Sequence, residues 1–281
     1  MNDHAAHATS FGPAAAIYER GRPPYPPEAL DWLLSTDPSD APAAGADDSG
    51  TQAGADDTSR SAGTASGSVS TGPAHPRVAR RVLDLGAGTG KLTRLLVARG
   101  LEVTAVDPSD GMLGELGRVL PDTPALVGTA EGIPLPDHSV DVVLVAQAWH
   151  WVDPAEAVPE VARVLSPGGR LGLIWNLRDE REDWVRRLGE IMNSPETNRP
   201  TTIGAPFGPV QVREFPWTHR IPRDQVFDLV ASRSAAILLP APERAALLDR
   251  VRELLDTHPD LAGRTELDLP YVTECARADL T

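Results

Sequence analysis

The stretch RVLDLGAGTGKLT, Arg81 to Thr93, decides the fold. Val82, Leu83 and Leu85, interrupted only by Asp84, form a short apolar run that predicts a strand buried on both faces. Gly86, Gly88 and Gly90 then crowd one turn, and beyond Lys91 the residues Leu92, Leu95 and Leu96 recur at helical spacing until Gly100. Strand, glycine turn and helix N-terminus in that order present a floor of backbone N–H groups, bare enough for a ligand to approach the main chain. A dinucleotide site asks for G-x-G-x-x-G, whose third glycine lets helix pack on strand. Here the third glycine comes one position early and Lys91 stands in its place.

Downstream the chain keeps a βα rhythm. Glu102 to Val106 predicts a second strand ending in Asp107, whose interval from Gly86 suits a carboxylate gripping both hydroxyls of a ribose. Capping the next helix is its other use, although Ser109 or Asp110 would cap equally well. Met112, on the first turn of that helix, belongs either against a flat base or in the core. Further strands are expected at Ala125 to Gly128, Val142 to Val145 and Arg170 to Trp175, with helices at Asp153 to Leu165 and Asp179 to Met192. The cluster Gln147-Ala148-Trp149-His150-Trp151 follows the strand at 142–145 and so falls at the crevice where parallel sheets bind ligands. The loop 194–209 is expected to border that pocket. Val210 to Pro216 and Leu267 to Ala276 read as strands, and Gln225 to Leu239 and Pro242 to Thr257 as helices between them.

Upstream, Ala14 to Glu19 reads as a short helix, and Glu28 to Leu34 as a second with Pro27 in its first turn. RGRPPYP between them is stiff and extended. Residues 35–77 are mostly Ala, Gly, Ser, Thr, Asp and Pro, too poor in apolar surface to offset their ordering entropy, and are expected to be a disordered surface insertion. Three parts follow: an N-terminal segment at 1–34 that packs on the core, the insertion at 35–77, and a ligand-binding domain at 78–281.

The 26 basic residues against 40 acidic ones leave a net charge of −14, which disfavours a nucleic-acid or anionic-membrane partner. The single cysteine, Cys275, excludes an internal disulfide and any multi-cysteine metal site, and the histidines form no HxxxH or HExxH pair, so no metal is expected. No run is long and apolar enough to cross a bilayer, and the N-terminus lacks a basic, apolar leader. A cytoplasmic protein, monomeric or weakly dimeric, is expected.

VLDLGAGTGKLT, AVDPSDGML, GTAEGIPLPDHSVD, AQAWHWVD and VLSPGGRLGLIWN stand in an order that resembles the small-molecule class I S-adenosylmethionine (SAM) methyltransferases, among them the quinone-biosynthesis and trans-aconitate enzymes. The resemblance extends from about Phe11 to Arg277, outside the insertion. It implies an α/β fold: a Rossmann-like, doubly wound seven-stranded sheet, mostly parallel with an antiparallel C-terminal strand, helices on both faces and an N-terminal lid over the cofactor. It implies SAM contacts at Asp84, Gly86, Gly88, Gly90, Asp107, Met112, Ala130, Glu131 and Gln147. Phe11, Tyr18, Arg22 and Tyr25 would belong to the lid, and Tyr18, Trp149 and Trp151 would wall the transfer site, aromatic faces suiting a cation. His150 would be the base for a hydroxyl, acid or amine acceptor; packing against the lid is the alternative for it and both tryptophans. Arg22 stands where the PPY signature of amino-group DNA methyltransferases carries Asp, Asn or Ser. A methyltransferase acting on a carboxylic acid, phenol or quinone-like metabolite is the expected function. A SAM-binding protein without turnover, a nicotinamide-dependent oxidoreductase and a nucleic-acid methyltransferase are the alternatives.

Overall fold

The computed structural model describes residues 19–35, 81–193 and 203–281. The strands are β1 (Arg81–Leu85), β2 (Glu102–Asp107), β3 (Ala125–Val127), β4 (Val140–Ala146), β5 (Leu165–Arg178), β6 (Gln211–Pro222) and β7 (Glu266–Asp279). They form one seven-stranded sheet in the order β3-β2-β1-β4-β5-β7-β6. β1 to β5 run parallel, and β7 runs antiparallel to both of its neighbours. Strand order reverses at β1, which opens a crevice outside the carboxyl ends of β1 and β4.

The helices are α1 (Pro27–Leu34), α2 (Lys91–Val97), α3 (Asp110–Val119), α4 (Pro154–Val164), α5 (Asp183–Met192), α6 (Gln225–Ala231), α7 (Ser234–Ile237) and α8 (Ala241–Thr257). The twofold alternation of the strands decides which helix packs where. Leu83, Leu85, Val143, Leu171 and Leu173 face α4, meeting Val158, Val161 and Val164. Val82, Val142, Leu144 and Ile174 face the other way, against Leu30 and Leu33 of α1 and Leu92 and Leu96 of α2. Asp84 shares the face of Val82, so its carboxylate is buried under α2. A third cluster gathers α5, α6 and α8 around Ile221, Leu267, Leu269 and Tyr271. Because β7 runs backwards, this cluster lies beyond the carboxyl ends of the parallel strands, where Tyr271 pairs with Arg178.

Several boundaries depart from the sequence reading. β5 continues through Arg178 because β7 supplies partners to that point, so α5 starts at Asp183 rather than Asp179. The expected helix 225–239 is two short ones, α6 and α7, separated at Ser232 and Arg233. The described part of the 194–209 loop does not border the crevice. Gly208 N–H donates to the Asp279 carbonyl at 2.9 Å, and Asp279 pairs with Arg170 at the opposite rim of the sheet. Residues 194–202 and 36–80 lie outside the described residues. Residues 27–34, the end of the segment expected to pack on the core as a lid, form helix α1, whose Leu30 and Leu33 lie in the core.

α1 is fastened by a buried cation. The Arg277 guanidinium sits 4.2 Å from the centre of the Trp32 ring, donates to the Trp32 carbonyl, and gives its Nε–H to Gln211 Oε1 at 2.9 Å. Arg277→Met keeps the length but leaves those acceptors unpaired, so urea unfolding should show a loss of about 2–4 kcal/mol.

Candidate functional site

The glycine turn is held from β2. Gly86 and Ala87 N–H both donate to the Val106 carbonyl, at 2.8 and 3.1 Å, and Gly88 N–H donates to Asp107 Oδ2 at 2.8 Å. Gly86, Gly88 and Gly90 have φ of 75°, 56° and 86°, the left-handed region that side chains resist. A Cβ on Gly86 would come within 2.7 Å of the Ala148 Cβ, whereas one on Gly88 would meet nothing within 4 Å. Gly86 therefore serves close packing against the end of β4, and Gly88 keeps the floor of the crevice bare.

Two carboxylates stand at this turn. Asp84 is fully buried; its Oδ2 accepts the Thr93 hydroxyl at 2.6 Å, while Oδ1 is buried without a hydrogen-bond partner among the described residues. Burial, opposed by the Thr93 bond, raises its pKa to about 7. Asp107 ends β2 with Oδ1 accepting Ser109 N–H and Oδ2 accepting Gly88 N–H, both at 2.8 Å. Burial raises its pKa too, against those two amides. Ser109, not Asp107, caps α3 by accepting Met112 N–H, which leaves each Asp107 oxygen one further lone pair.

The remaining candidates divide. Gln147 adopts a left-handed φ of 56°, a strained conformation for a non-glycine residue, and is held by N–H to the Ile174 carbonyl and Nε2 to the Asn176 carbonyl at 3.0 and 3.1 Å. Met112 is buried yet belongs to none of the apolar clusters, whereas Ala130 is part of the α4-side core. Glu131 Oε1 accepts Asp153 N–H at 2.9 Å beside the start of α4. Trp149, expected as a wall of the site, is 0 % exposed in the core cluster under α4. His150 is half-buried, its ring centre 4.5 Å from that of Trp151 and 5.4 Å from that of Trp175. Tyr18 lies outside the described residues.

Sequence reasoning missed the far side of the pocket. The strap 19–26 crosses the crevice: Glu19 accepts the Thr89 hydroxyl at 2.7 Å and pairs with Lys91 at 3.5 Å, while Arg20 pairs with Asp228 of α6 at 2.9 Å. A chain of fixed polarity anchors it from below. The Trp217 indole donates to Thr273 Oγ1 at 2.8 Å, that hydroxyl donates to Asn176 Oδ1 at 2.6 Å, and Asn176 Nδ2 donates to the Pro24 carbonyl at 2.8 Å. Indole is a donor only and a proline carbonyl an acceptor only, so each intermediate group has one possible role. Asn176, Tyr271 and Arg233 thereby join Arg22, Asp84 and Gln147 around a single pocket. No spacing in the sequence announced Arg233 or Tyr271, because each arrives from an element after β5.

These residues fit the cofactor that the resemblance implies: a bare amide floor, a carboxylate with spare lone pairs at the end of β2, and an orphaned carboxylate oxygen suited to an ammonium group. Asp84 also predicts a pH effect. A folded pKa above the unfolded carboxylate value means that the native state holds the extra proton, so stability is lost as pH rises from about 4 to about 7. Thermal unfolding of the ligand-free protein between about pH 5 and 8 should show this decline, flattened in Asp84→Asn.

Comparison with known proteins agrees. A methyltransferase domain family matches residues 83–173. An uncharacterized methyltransferase of Mycobacterium tuberculosis is 54% identical over 274 residues, covering 96% of this chain and 96% of its own. A demethylmenaquinone methyltransferase of Beutenbergia cavernae is 42% identical over 96 residues, 34% of this chain and 40% of its own. A solved structure described as a type II methyltransferase, from Anaeromyxobacter dehalogenans, superposes with a TM-score of 0.55 at 27% identity, covering 71% of this chain and 88% of that one. With its sheet order, its glycine turn and these relatives, the chain belongs to the class I S-adenosylmethionine-dependent methyltransferases.

Proposed function

We propose that the protein binds SAM in this crevice and transfers its methyl group to a small-molecule acceptor, a carboxylic acid, phenol or quinone-like metabolite. The observation that carries the cofactor reading is the buried Asp84 Oδ1, without a hydrogen-bond partner among the described residues, beside a glycine turn open to the crevice. Asp107 would hold the ribose hydroxyls through its spare lone pairs, Gly86 and Gly88 would line the tail, and Met112 and Ala130 would lie toward the base. The sulfonium brings a methyl group already activated for transfer. The protein is left with orientation and water exclusion, which the strap is placed to provide. The short match to a demethylmenaquinone methyltransferase supports a quinone-like acceptor as one class to test. For an acceptor that must lose a proton, His150 is the candidate base, its ring tilted against those of Trp151 and Trp175.

Calorimetry with SAM and with NAD tests the cofactor: SAM binds and NAD does not. The opposite result removes the proposal. Asp107→Ala should weaken SAM by about 10–100-fold, the worth of one to two charge-assisted hydrogen bonds. A screen of carboxylic acids, phenols and quinone precursors, read by release of S-adenosylhomocysteine, identifies the acceptor. With that acceptor, His150→Gln should lower kcat while SAM affinity holds; unchanged turnover excludes the base role.

A further inference from the structure

Aromatic surface continues from the pocket onto the last strands of the sheet. Tyr271, which lines the pocket, lies directly opposite Trp217 in the β6–β7 pairing, and the two rings stack with centres 5.4 Å and planes 24° apart. Two residues along β6, His219 projects from the same face, as alternate residues of a strand do. Its ring centre is 5.8 Å from that of Trp217 and 6.3 Å from that of Tyr271. Pro216, Thr218 and Arg220 are exposed on the other face. Tyr271 is buried, whereas Trp217 and His219 are half-buried, and no described strand lies beyond β6.

The patch also has a defined polar capacity. The Trp217 indole N–H is already given to Thr273, so that residue offers only its ring faces. His219 makes no hydrogen bond to the described residues. Burial first, and then the ammonium of the pocket-lining Lys91, hold its pKa below the ordinary histidine value. A neutral imidazole presents one donor and one acceptor nitrogen. His150, by contrast, packs against Trp175 of the α4-side cluster, on the other face of β5.

We infer that Trp217, His219 and Tyr271 form the recognition surface for the methyl acceptor, and that it selects a flat conjugated ring bearing a hydroxyl or carbonyl oxygen over a saturated one. The inference deepens the methyl-transfer reading above and rests on it. A flat ring extends the Trp217–Tyr271 stack, a contact that a saturated ring cannot reproduce. His219 supplies the hydrogen bond that orients the ring by its oxygen, one polar group in a largely apolar site. Because Trp217 also begins the hydrogen-bond chain to the Pro24 carbonyl, the same indole serves the acceptor surface and the strap.

The test is calorimetry on the full chain, with 2-naphthol as the flat probe and decahydro-2-naphthol as its saturated counterpart, both in the presence of S-adenosylhomocysteine. The wild type should prefer 2-naphthol by about 10-fold or more. Trp217→Phe and Trp217→Leu both lose the indole donor and differ in the ring, so comparing them separates stacking from the hold on the strap. Trp217→Leu should bind 2-naphthol about 5–10-fold less tightly than Trp217→Phe, while the two bind S-adenosylhomocysteine alike. His219→Phe should weaken 2-naphthol by about 3–10-fold and leave S-adenosylhomocysteine affinity unchanged. Equal affinity of the wild type for the two probes, or of the two Trp217 variants for 2-naphthol, would overturn the inference. Unchanged 2-naphthol affinity in His219→Phe would overturn the oxygen contact. A wild type that binds S-adenosylhomocysteine but not 2-naphthol would give the three rings to packing alone. Failure to bind S-adenosylhomocysteine would instead remove the methyl-transfer reading, whether or not the ring binds.

Discussion

One carbonyl governs the geometry of the crevice. Val106, near the end of β2, receives the N–H of both Gly86 and Ala87, and its neighbour Asp107 receives that of Gly88. Three successive amides are thus pinned to the adjacent strand, and the chain can leave β1 and enter α2 only through left-handed backbone at Gly86, Gly88 and Gly90. The same clasp turns the Asp107 carboxylate toward the turn and leaves Asp84 buried under α2 at the wall of the pocket. The bare floor and the two buried carboxyl groups are consequences of a single β1–β2 register, in which Leu85 lies opposite Val106.

That part of the molecule was legible because its determinants are local. Glycines at fixed offsets, an acid at a strand end and apolar runs of the right length state the β1–α2–β2 unit directly, and the five conserved-order segments extended it to the whole sheet. Boundaries were less legible where tertiary pairing decides them. β5 outruns its apolar core through Arg178 only because β7 offers partners there. Trp149 and Trp151 look alike in sequence, yet the three-residue turn they share sends Trp149 wholly into the core. The bond from Asp153 N–H to Glu131, twenty-two residues back, has no sequence signal either. The far wall of the pocket was illegible for a stronger reason: Asn176, Arg233 and Tyr271 become neighbours only after the β6–β7 pair has closed the sheet.

The strap is stabilised by polar ties rather than by a large apolar face. Glu19 answers the α2 end of the pocket, Arg20 and Arg22 answer α6, and Asn176 answers Pro24. Exposed pairs of this kind contribute on the order of 1 kcal/mol or less each, so much of the fixing falls to the buried Asn176–Thr273 link and to Tyr25, which packs beside α1. The strap is thus anchored strongly at its C-terminal half and only weakly at its N-terminal half.

The rim opposite the crevice has its own significance. Ser35, where α1 ends, meets Arg170 at the start of β5, and Arg81 opens β1 beside Asp141 of β4. Both junctions of the interval 36–80 therefore leave the domain from the edge remote from the chemistry. The two ends of that interval are anchored by charged contacts on this side, so a change in its length enters the chain away from the glycine turn.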